Sequence, residues 1–280
     1  MGRSQEEEQP MTTLTDVGSA AISLSNVSKA FETGTGTVLA LDGIDLDIQP
    51  GGFVSLLGPS GCGKSTLLRV IGDLVKPTSG EVLVGGRTAA EARKARDYGM
   101  AFQAPGLMDW RTVRRNVELP MQVLGVPRAE RRQCADEMLD LVRLTAFADH
   151  RPRQLSGGMQ QRVAIARALA IQPKILLMDE PLGALDEMNR EYLQRELLRI
   201  WRSTGTTIVF VTHSVPEAVF LSTEVVVMSP RPGRIAARVP IDLGYPRVDE
   251  TRVSPEFYRA EAEVREILHS VLAPEGEVQQ

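Results

Sequence analysis

One stretch of the chain combines glycine, lysine and serine at a spacing that binds phosphate. It is Gly58-Pro59-Ser60-Gly61-Cys62-Gly63-Lys64-Ser65-Thr66, which contains the pattern G-x-x-x-x-G-K-S of a P-loop. Glycines let backbone N–H groups turn inward around a polyphosphate, and the N-terminus of a following helix faces the same anion. We expect Lys64 to reach the β- and γ-phosphates and Ser65 to hold Mg²⁺. The stretch therefore predicts a site for a nucleoside triphosphate.

Two carboxylates follow another apolar run. Ile175–Met178 is continuously apolar, as in a strand buried on both faces, and it ends in Asp179 and Glu180. Adjacent carboxylates at the end of a buried strand are costly unless a cation lies there. Asp179 is therefore predicted to join Ser65 at Mg²⁺, and Glu180 to polarise or deprotonate an attacking water. The alternative is a solvated turn before Pro181.

Two further polar residues end predicted strands. Gln103 follows Tyr98–Phe102, and His213 follows Thr207–Val211. In open parallel α/β sheets the ligand binds outside the carboxyl ends of the strands, so these endings are expected to meet at one site. Gln103 is predicted to contact Mg²⁺ or the water. His213 is predicted to bond the γ-phosphate, with an ordinary strand-end histidine as the alternative.

The elements that must position these residues predict an α/β fold. Phe53–Leu57 is a strand that leads into the P-loop, and a helix follows it. Ile22–Phe31 and Val38–Ile48 alternate apolar and polar residues, which predicts half-buried antiparallel strands joined by a loop at Glu32–Thr37. Later strands and helices alternate along the chain, as in a parallel sheet.

Residues 104–170 lack strand signals and predict a helical insert. Pro127 is expected near the start of an amphipathic helix whose apolar residues lie at i, i+4, i+7 and i+8. These residues are Cys134, Met138, Leu141 and Val142. A second helix is expected after Ser156, its N-cap. Gly157 and Gly158 weaken a helix but let another group approach bare backbone, with a flexible helix entry as the alternative.

Composition limits the functional classes. The chain has 280 residues, of which 42% are hydrophobic and 24% charged, as expected for a globular protein with a large core. The formal net charge of -4 gives no support for nucleic acid as the main partner. Two cysteines favour a reducing compartment over a disulfide framework. Residues 1–20 carry an acidic run and no apolar signal segment, which predicts a disordered tail.

Together the motifs resemble those of the ATP-binding subunit of an ABC transporter. The resemblance covers about residues 21–235. It includes the P-loop Gly58–Ser65, the Q-loop Gln103, the signature Leu155–Gly158, the Walker B segment Ile175–Asp179 with Glu180, the D-loop Leu185-Asp186 and the switch His213. It implies a P-loop NTPase (RecA-like) core with an antiparallel β subdomain and an inserted α-helical subdomain. Residues 236–280 would form a short C-terminal helical extension.

The resemblance also implies a shared catalytic site. Ser156, Gly157 and Gly158 would cap the γ-phosphate of ATP held by a second copy in a head-to-tail dimer. Phe31 would stack on adenine, and an apolar core role is the alternative. The other implied ATP contacts are Gly58, Pro59, Ser60, Gly61, Cys62, Gly63, Lys64, Ser65, Thr66 and Asp186. Catalysis would rest on Glu180, His213, Gln103 and Lys64, with Mg²⁺ held by Ser65, Gln103 and Asp179.

Finer features resemble importers of the nitrate, sulfonate and taurine group. They are Pro105–Val113, Met159, Ser214–Ala218 and Ser254–Tyr258. This implies a subunit at the cytoplasmic face of a bacterial membrane that energises import of a small solute. Its partners would be integral permease subunits and, indirectly, a periplasmic or lipid-anchored solute-binding protein, with no nucleic acid. The alternatives are a soluble ABC ATPase acting on nucleic acid or ribosomes and an exporter subunit.

Overall fold

A computed structural model describes residues 21–34 and 36–272. The predicted tail at residues 1–20 lies outside the described residues. The described chain forms two sheets, one of 4 strands and one of 6. In this part of the chain, no helix combines the length and apolar character that a membrane span requires.

The smaller sheet is antiparallel and has the strand order β2-β1-β4-β5. Its strands are β1 (Ile22–Thr33), β2 (Gly36–Ile48), β4 (Ser79–Val84) and β5 (Arg87–Thr88). Ile22, Leu24 and Leu46 are buried, whereas Ser25 and Asp47 are exposed, so the predicted half-buried strands are confirmed. The loop is shorter than the predicted residues 32–37, because Glu32 pairs with Thr37 and Thr33 with Gly36 in the two strands.

The larger sheet has the order β10-β9-β3-β8-β7-β6 and is parallel except for the edge strand β10. Its strands are β3 (Phe53–Leu57), β6 (Tyr98–Ala101), β7 (Ile175–Asp179), β8 (Thr207–Thr212), β9 (Glu224–Met228) and β10 (Ile235–Pro240). Every residue of β3, β7 and β8 is buried, which explains why these strands are continuous apolar runs. Phe53 and Leu57 face one hydrophobic core, and Val54 and Leu56 face another.

Helices cover the larger sheet and fill the insert. They are α1 (Lys64–Ile71), α2 (Ala89–Ala95), α3 (Val113–Val117), α4 (Leu119–Val123), α5 (Arg128–Leu141), α6 (Gly157–Leu169), α7 (Glu187–Thr204), α8 (Val215–Leu221) and α9 (Pro255–Leu272). The chain between β6 and β7 is helical, in line with the predicted insert. The predicted apolar face of α5 is confirmed, since Cys134, Met138 and Leu141 are half-buried and pack against the core, and Val142, just after the helix, is fully buried. Ala135 and Leu139 are buried in the same core.

The boundary predicted at residue 235 falls inside the larger sheet. β10 begins at Ile235 and pairs with β9, from Ile235 opposite Met228 to Pro240 opposite Glu224. Helix α9 then packs against α8 and buries Phe257 and Val264 in the same core as Phe53. The C-terminal residues up to 272 are thus continuous with the α/β core and not a separate extension.

Candidate functional site

The P-loop joins the end of β3 to the start of α1. Gly63 is the N-cap of α1 at φ 109°, a conformation that strains any residue with a Cβ, and no side chain caps the helix. A Cβ at Gly63 would also lie 2.9 Å from the Ala40 carbonyl oxygen. The first N–H groups of α1 are therefore free of side-chain acceptors, as an anion site requires.

Lys64 lies against the P-loop with only 5% of its surface exposed. Its Nζ donates to the carbonyl oxygens of Gly58 at 2.7 Å and Pro59 at 2.9 Å. None of the ion pairs found within residues 21–34 and 36–272 involves Lys64. Its positive charge is therefore held beside the loop without a carboxylate to neutralise it.

Ser65 and Asp179 meet although they are far apart in sequence. The Ser65 hydroxyl donates to Asp179 Oδ1 at 2.7 Å. Asp179 is the last residue of β7 and is only 1% exposed, so a buried carboxylate faces a hydroxyl at the carboxyl edge of the sheet. Two hard oxygen ligands thus lie together beside the P-loop, as the sequence predicted.

Glu180 is the centre of a second polar group. Gln103 Nε2 donates to Glu180 Oε2 at 3.2 Å, and His213 Nδ1 lies 3.7 Å from the same oxygen. Glu180 has φ 46°, which is unusual for a residue other than glycine and stores backbone strain. The backbone therefore holds this carboxylate in a costly conformation at the point where Gln103 and His213 converge, a pattern typical of functional residues.

Several of these residues line a cleft of about 580 Å³, whereas Asp179 and His213 do not line it. Its lining includes Gln103, Glu180 and the P-loop residues Ser60, Gly61, Gly63, Lys64, Ser65 and Thr66. Gly58, Pro59 and Cys62 do not line it, and Cys62 is buried in the hydrophobic core. The predicted contacts thus divide into those facing the cleft and those that shape the loop from behind.

Phe31 lies on the rim of this cleft, near the end of β1. It is 38% exposed and belongs to neither hydrophobic core of the described residues, which argues against the alternative core role. Lys29 Nζ lies 4.9 Å from its ring centroid. An exposed aromatic face beside the phosphate loop suits stacking on a base.

Sequence reasoning missed Arg231, which also lines the cleft. Its guanidinium donates to the Gly61 carbonyl oxygen, with Nη2 at 3.2 Å and Nε at 3.3 Å. Arg231 lies in the turn after β9. The available signal was that β9 is an apolar strand whose carboxyl end meets the same sheet edge as β3.

In the Ser156–Gly158 segment, Ser156 and Gly157 are exposed and Gly158 is half-buried, and none of the three lines the cleft. Ser156 is the N-cap of α6, as predicted, and its Oγ accepts from Met159 N at 3.3 Å. The two glycines differ. A Cβ at Gly157 would meet nothing within 4 Å, whereas one at Gly158 would lie 3.0 Å from the Ala184 carbonyl oxygen.

The space beside the Gly158 α-carbon is thus occupied by this chain, whereas the space beside Gly157 is open. The approach of another molecule to this backbone stays a prediction. Asp186, beyond Ala184, is the exposed N-cap of α7 and accepts from Asn189 N at 3.1 Å. The hydrogen bonds with Asn189 hold the pKa of Asp186 below its usual value.

Hydrogen bonds from side chains of α6 hold the loop around Gln103 in place. Arg167 on α6 donates to the Pro105 and Gly106 carbonyl oxygens at 2.7 and 2.8 Å, and Gln161 Nε2 donates to Phe102 O at 2.9 Å. Asn116, which is fully buried, bonds both backbone groups of Met108. The loop is therefore ordered by its own chain, and it presents Trp110 with 72% of its surface exposed.

Comparison with known proteins agrees with this geometry. Residues 41–183 match the family model described as ABC transporter. The taurine import ATP-binding protein TauB of Rhizobium johnstonii is 48% identical over 240 residues, covering 84% of this chain and 90% of TauB. A protein of Brucella abortus (strain 2308) described as an ATP-binding protein is 49% identical over 236 residues, covering 84% and 88%.

A solved structure is also similar. It is the dimeric, post-hydrolysis structure of the ATP-binding cassette MJ0796 bound to ADP and Pi. Its TM-score is 0.73 and its identity 38%, over 80% of this chain and 100% of that one. The family match at residues 41–183 contains the P-loop, Gln103, Ser156 and Glu180, whereas His213 lies beyond it.

Proposed function

Because this chain belongs to the ABC transporter family, we propose that its P-loop cleft and the Ser156–Gly158 segment of a second copy together form its catalytic site. The chain is an ATPase subunit whose hydrolysis of ATP drives transport. One observation carries the proposal. Four segments of the chain converge beside the P-loop, and they supply Ser65, Gln103, the adjacent pair Asp179 and Glu180, and His213.

The cleft holds ATP by three kinds of contact. The N–H groups at the start of α1 and the Lys64 ammonium bind the phosphates. Phe31 stacks on the adenine. Arg231 adds a second positive charge beside Gly61 at the cleft mouth.

The donor set fits Mg²⁺. Ser65 and Asp179 offer a hydroxyl and a carboxylate 2.7 Å apart, and hard oxygen ligands are those that Mg²⁺ prefers. Asp179 is buried, so a cation there offsets the cost of its charge. When held by Ser65 and Asp179, Mg²⁺ would neutralise charge on the phosphates. Gln103 lies close enough to Glu180 to serve the same cation or the attacking water.

Glu180 is the general base of the proposed reaction. Its Oε2 accepts the proton of a water that attacks the γ-phosphate, and Gln103 and His213 orient that oxygen from two sides. His213 is 65% exposed, so its ring is free to turn from Glu180 towards a phosphate oxygen. Lys64 stabilises the charge that develops during transfer.

A second copy completes the site. Ser156 and Gly157 are exposed at the N-terminus of α6 but do not line their own cleft. Such a helix start binds anions, so it is suited to the γ-phosphate of ATP on a partner. The dimeric structure of the similar cassette MJ0796 supports a paired arrangement. ATP binding closes the dimer, and hydrolysis opens it.

The ordered loop at residues 103–112 is the proposed contact with a membrane permease. Trp110 is exposed there, and Arg167 links the loop to the helix that begins after Ser156. Dimer closure therefore moves both surfaces together. The subunit would lie at the cytoplasmic face of the membrane. Similarity to TauB favours taurine-like small solutes, delivered by a binding protein, over an exporter or a nucleic-acid partner.

The test compares Glu180→Gln with the wild type. We expect hydrolysis to fall at least about a hundredfold, because the base is lost, while ATP binding stays near normal. With ATP present, a stable dimer of the Glu180→Gln variant should then accumulate, and light scattering would measure it. Glu256→Gln, which removes an exposed carboxylate of α9, is the matched control and should hydrolyse ATP normally.

The sharing of the site is tested in the same background. Adding Ser156→Arg to Glu180→Gln should abolish the ATP-dependent dimer without weakening ATP binding to each copy. The control is Ser203→Arg, which changes an exposed serine at the C-terminal end of α7 and should leave the dimer intact. If Glu180→Gln hydrolysed ATP at the normal rate, or if the Ser156→Arg dimer still formed, the proposed site would be wrong.

A further inference from the structure

The turn that carries His213 continues directly into α8, so the position of this helix sets the position of the proposed switch residue. Ser214 is the N-cap of α8, and Glu217 lies in its first turn. Two arginines from residues 241–253, which we call the C-terminal segment, reach the two ends of this helix. They are Arg252, which is linked through Gln194 of α7 to Glu217 in the first turn of α8, and Arg247, which binds carbonyl groups at its end.

A chain of buried hydrogen bonds connects Arg252 with the His213 turn. Arg252 Nη2 donates to Gln194 Oε1, and Gln194 Nε2 donates to Glu217 Oε1 at 3.0 Å. The Thr212 hydroxyl donates to Glu217 Oε2 at 2.5 Å. Ser214 N in turn donates to Thr212 Oγ1 at 3.0 Å. The residues on both sides of His213 are thus fixed by one network.

The direction of the first two bonds in this network follows from Arg252. A guanidinium has only donors, so the Gln194 atom that faces it must be the carbonyl oxygen. The Gln194 amide NH₂ then faces Glu217 Oε1, which must accept. At the other end, Ser214 N can only donate to Thr212 Oγ1, which leaves the Thr212 hydroxyl hydrogen to point at Glu217 Oε2. Arg252 therefore orients the Gln194 amide that holds Glu217, and Glu217 holds Thr212 beside the switch residue.

The network encloses the carboxyl group of Glu217 in the interior. Glu217 is 8% exposed and Gln194 2%, and burial raises the pKa of Glu217. Arg190 and His213 are the other charged or titratable groups that act on it. Arg252 itself is half-buried and stacks on Phe220 of α8, with 3.6 Å between the guanidinium carbon and the ring centroid. The Gln194 amide thus links the Arg252 guanidinium to the buried carboxyl group.

Arg247 holds the other end of α8 without touching the network. Its Nη1 donates to the carbonyl oxygens of Val219, Phe220 and Ser222, each at 2.9 Å. Burial lowers the pKa of Arg247 to about 10. It therefore satisfies the carbonyl groups that the end of a helix leaves unpaired. This is a structural role, and it distinguishes Arg247 from Arg252.

We propose that Arg252 is a positioning residue for ATP hydrolysis, which orients the His213 turn through Gln194, Glu217 and Thr212. The C-terminal segment would thereby belong to the catalytic apparatus of the ATPase, although it lies outside the P-loop cleft. This inference rests on the proposed role of His213 at the nucleotide. A change in the C-terminal segment that moved Arg252 would alter turnover without altering the ATP contacts.

The test is steady-state ATP hydrolysis by the full chain. Arg252→Met keeps the stacking bulk but removes the donors, and we expect kcat to fall about tenfold with the KM for ATP within about twofold. Arg252→Lys keeps the charge and a donor, and should restore most of kcat. Arg259→Met is the matched control, because Arg259 is an exposed α9 arginine paired only locally, with Glu256 and Pro255 O.

A double-variant cycle separates positioning from general stability. Once Glu217→Gln has removed the carboxylate, Arg252→Met should lower kcat no further. The ring resonances of His213 give a second readout, since the chain has 3 histidines and His213→Ala assigns them. They should shift in Arg252→Met and not in Arg259→Met.

Several results would overturn the proposal. The proposal fails if Arg252→Met retains the full wild-type kcat, or if Arg252→Lys loses as much kcat as Arg252→Met. It also fails if the losses of kcat from Arg252→Met and Glu217→Gln prove additive in the double variant, or if the loss of kcat simply matches the loss of folded protein. If Arg252→Met is not recovered folded, Thr212→Val breaks the same network at its other end, and unchanged kcat there would refute it. His213→Ala, measured in parallel, separates this proposal from the proposed role of His213. If His213→Ala hydrolysed ATP at the normal rate, the role of His213 would be wrong, and the positioning role of Arg252 would fall with it.

Discussion

The P-loop and the Ser156–Gly158 segment both stand at the N-terminus of a helix, yet the chain surrounds them differently. The start of α1 has no side-chain cap, and Gly63 lies against the Ala40 backbone. Lys64, its first residue, is almost fully buried. The start of α6 is exposed and capped by Ser156, and the space beside Gly157 is open. One site is enclosed by its own chain, and the other faces outward.

This difference separates binding from hydrolysis. The P-loop has its shape and its charge within one copy, so a single chain is expected to bind ATP. In the proposed site, the α6 start would contribute only when a second chain brings a phosphate to it. Substitutions in the two segments should therefore have different signatures, the first acting on nucleotide affinity and the second on turnover and dimer formation.

Among the substitutions that compare these two segments, Gly157→Ala is expected to have the largest effect. It also tests the outward-facing segment most directly. Within one chain a methyl group at Gly157 has room, and alanine favours the helix, so the free energy of unfolding should rise by about 0.5 kcal/mol. In the dimer the methyl would meet the partner's ATP, so hydrolysis should fall at least about tenfold. Thermal unfolding and ATPase rates measure the two effects.

Gly158→Ala is the matched comparison for Gly157→Ala. Its Cβ would lie 3.0 Å from the Ala184 carbonyl oxygen, so it should lower the stability of the single chain. A stable Gly157→Ala variant with normal hydrolysis would contradict the outward-facing assignment of that glycine.

Phe31→Ala should act on the enclosed site alone. Loss of stacking is expected to weaken ATP binding about tenfold, because base stacking on an aromatic ring contributes about 1–3 kcal/mol. Stability should change little, since Phe31 lies outside both cores. Calorimetry of ATP binding checks this, with Tyr258→Ala, another exposed aromatic residue, as the control. A large loss of stability with unchanged affinity for ATP would instead show that Phe31 has the alternative role in core packing.

Arg231→Met should give the smallest effect. Removing this exposed cation beside Gly61 is expected to weaken ATP binding about threefold at low salt, because solvent and ions screen its charge. The effect should shrink as salt rises, which titrations at two ionic strengths would show. Arg234→Met, whose guanidinium pairs with Asp42 and does not line the cleft, serves as control. Equal losses in both variants would exclude a specific role for Arg231.

Much of the fold and the nucleotide-facing residues followed from local patterns. Buried strands such as Ile175–Asp179 are recognisable because each is an uninterrupted apolar run, and Asp179 and Glu180 stand out at its end. Arg231 and Glu217 were missed because their surroundings come from distant segments. Arg231 looks like part of a turn, and Glu217 like an ordinary first-turn acid of a helix.

The sequence by itself determined the α/β class and the place of the P-loop between a strand and a helix, since strand periodicity and the P-loop spacing are local properties of the chain. Only the tertiary structure decided which glycine of the Ser156–Gly158 segment faces outward, because Gly158 meets Ala184 across a helix contact. It also decided that β10 continues the sheet and that Arg252 reaches the His213 turn. Such contacts join residues far apart in sequence, and no local spacing encodes them.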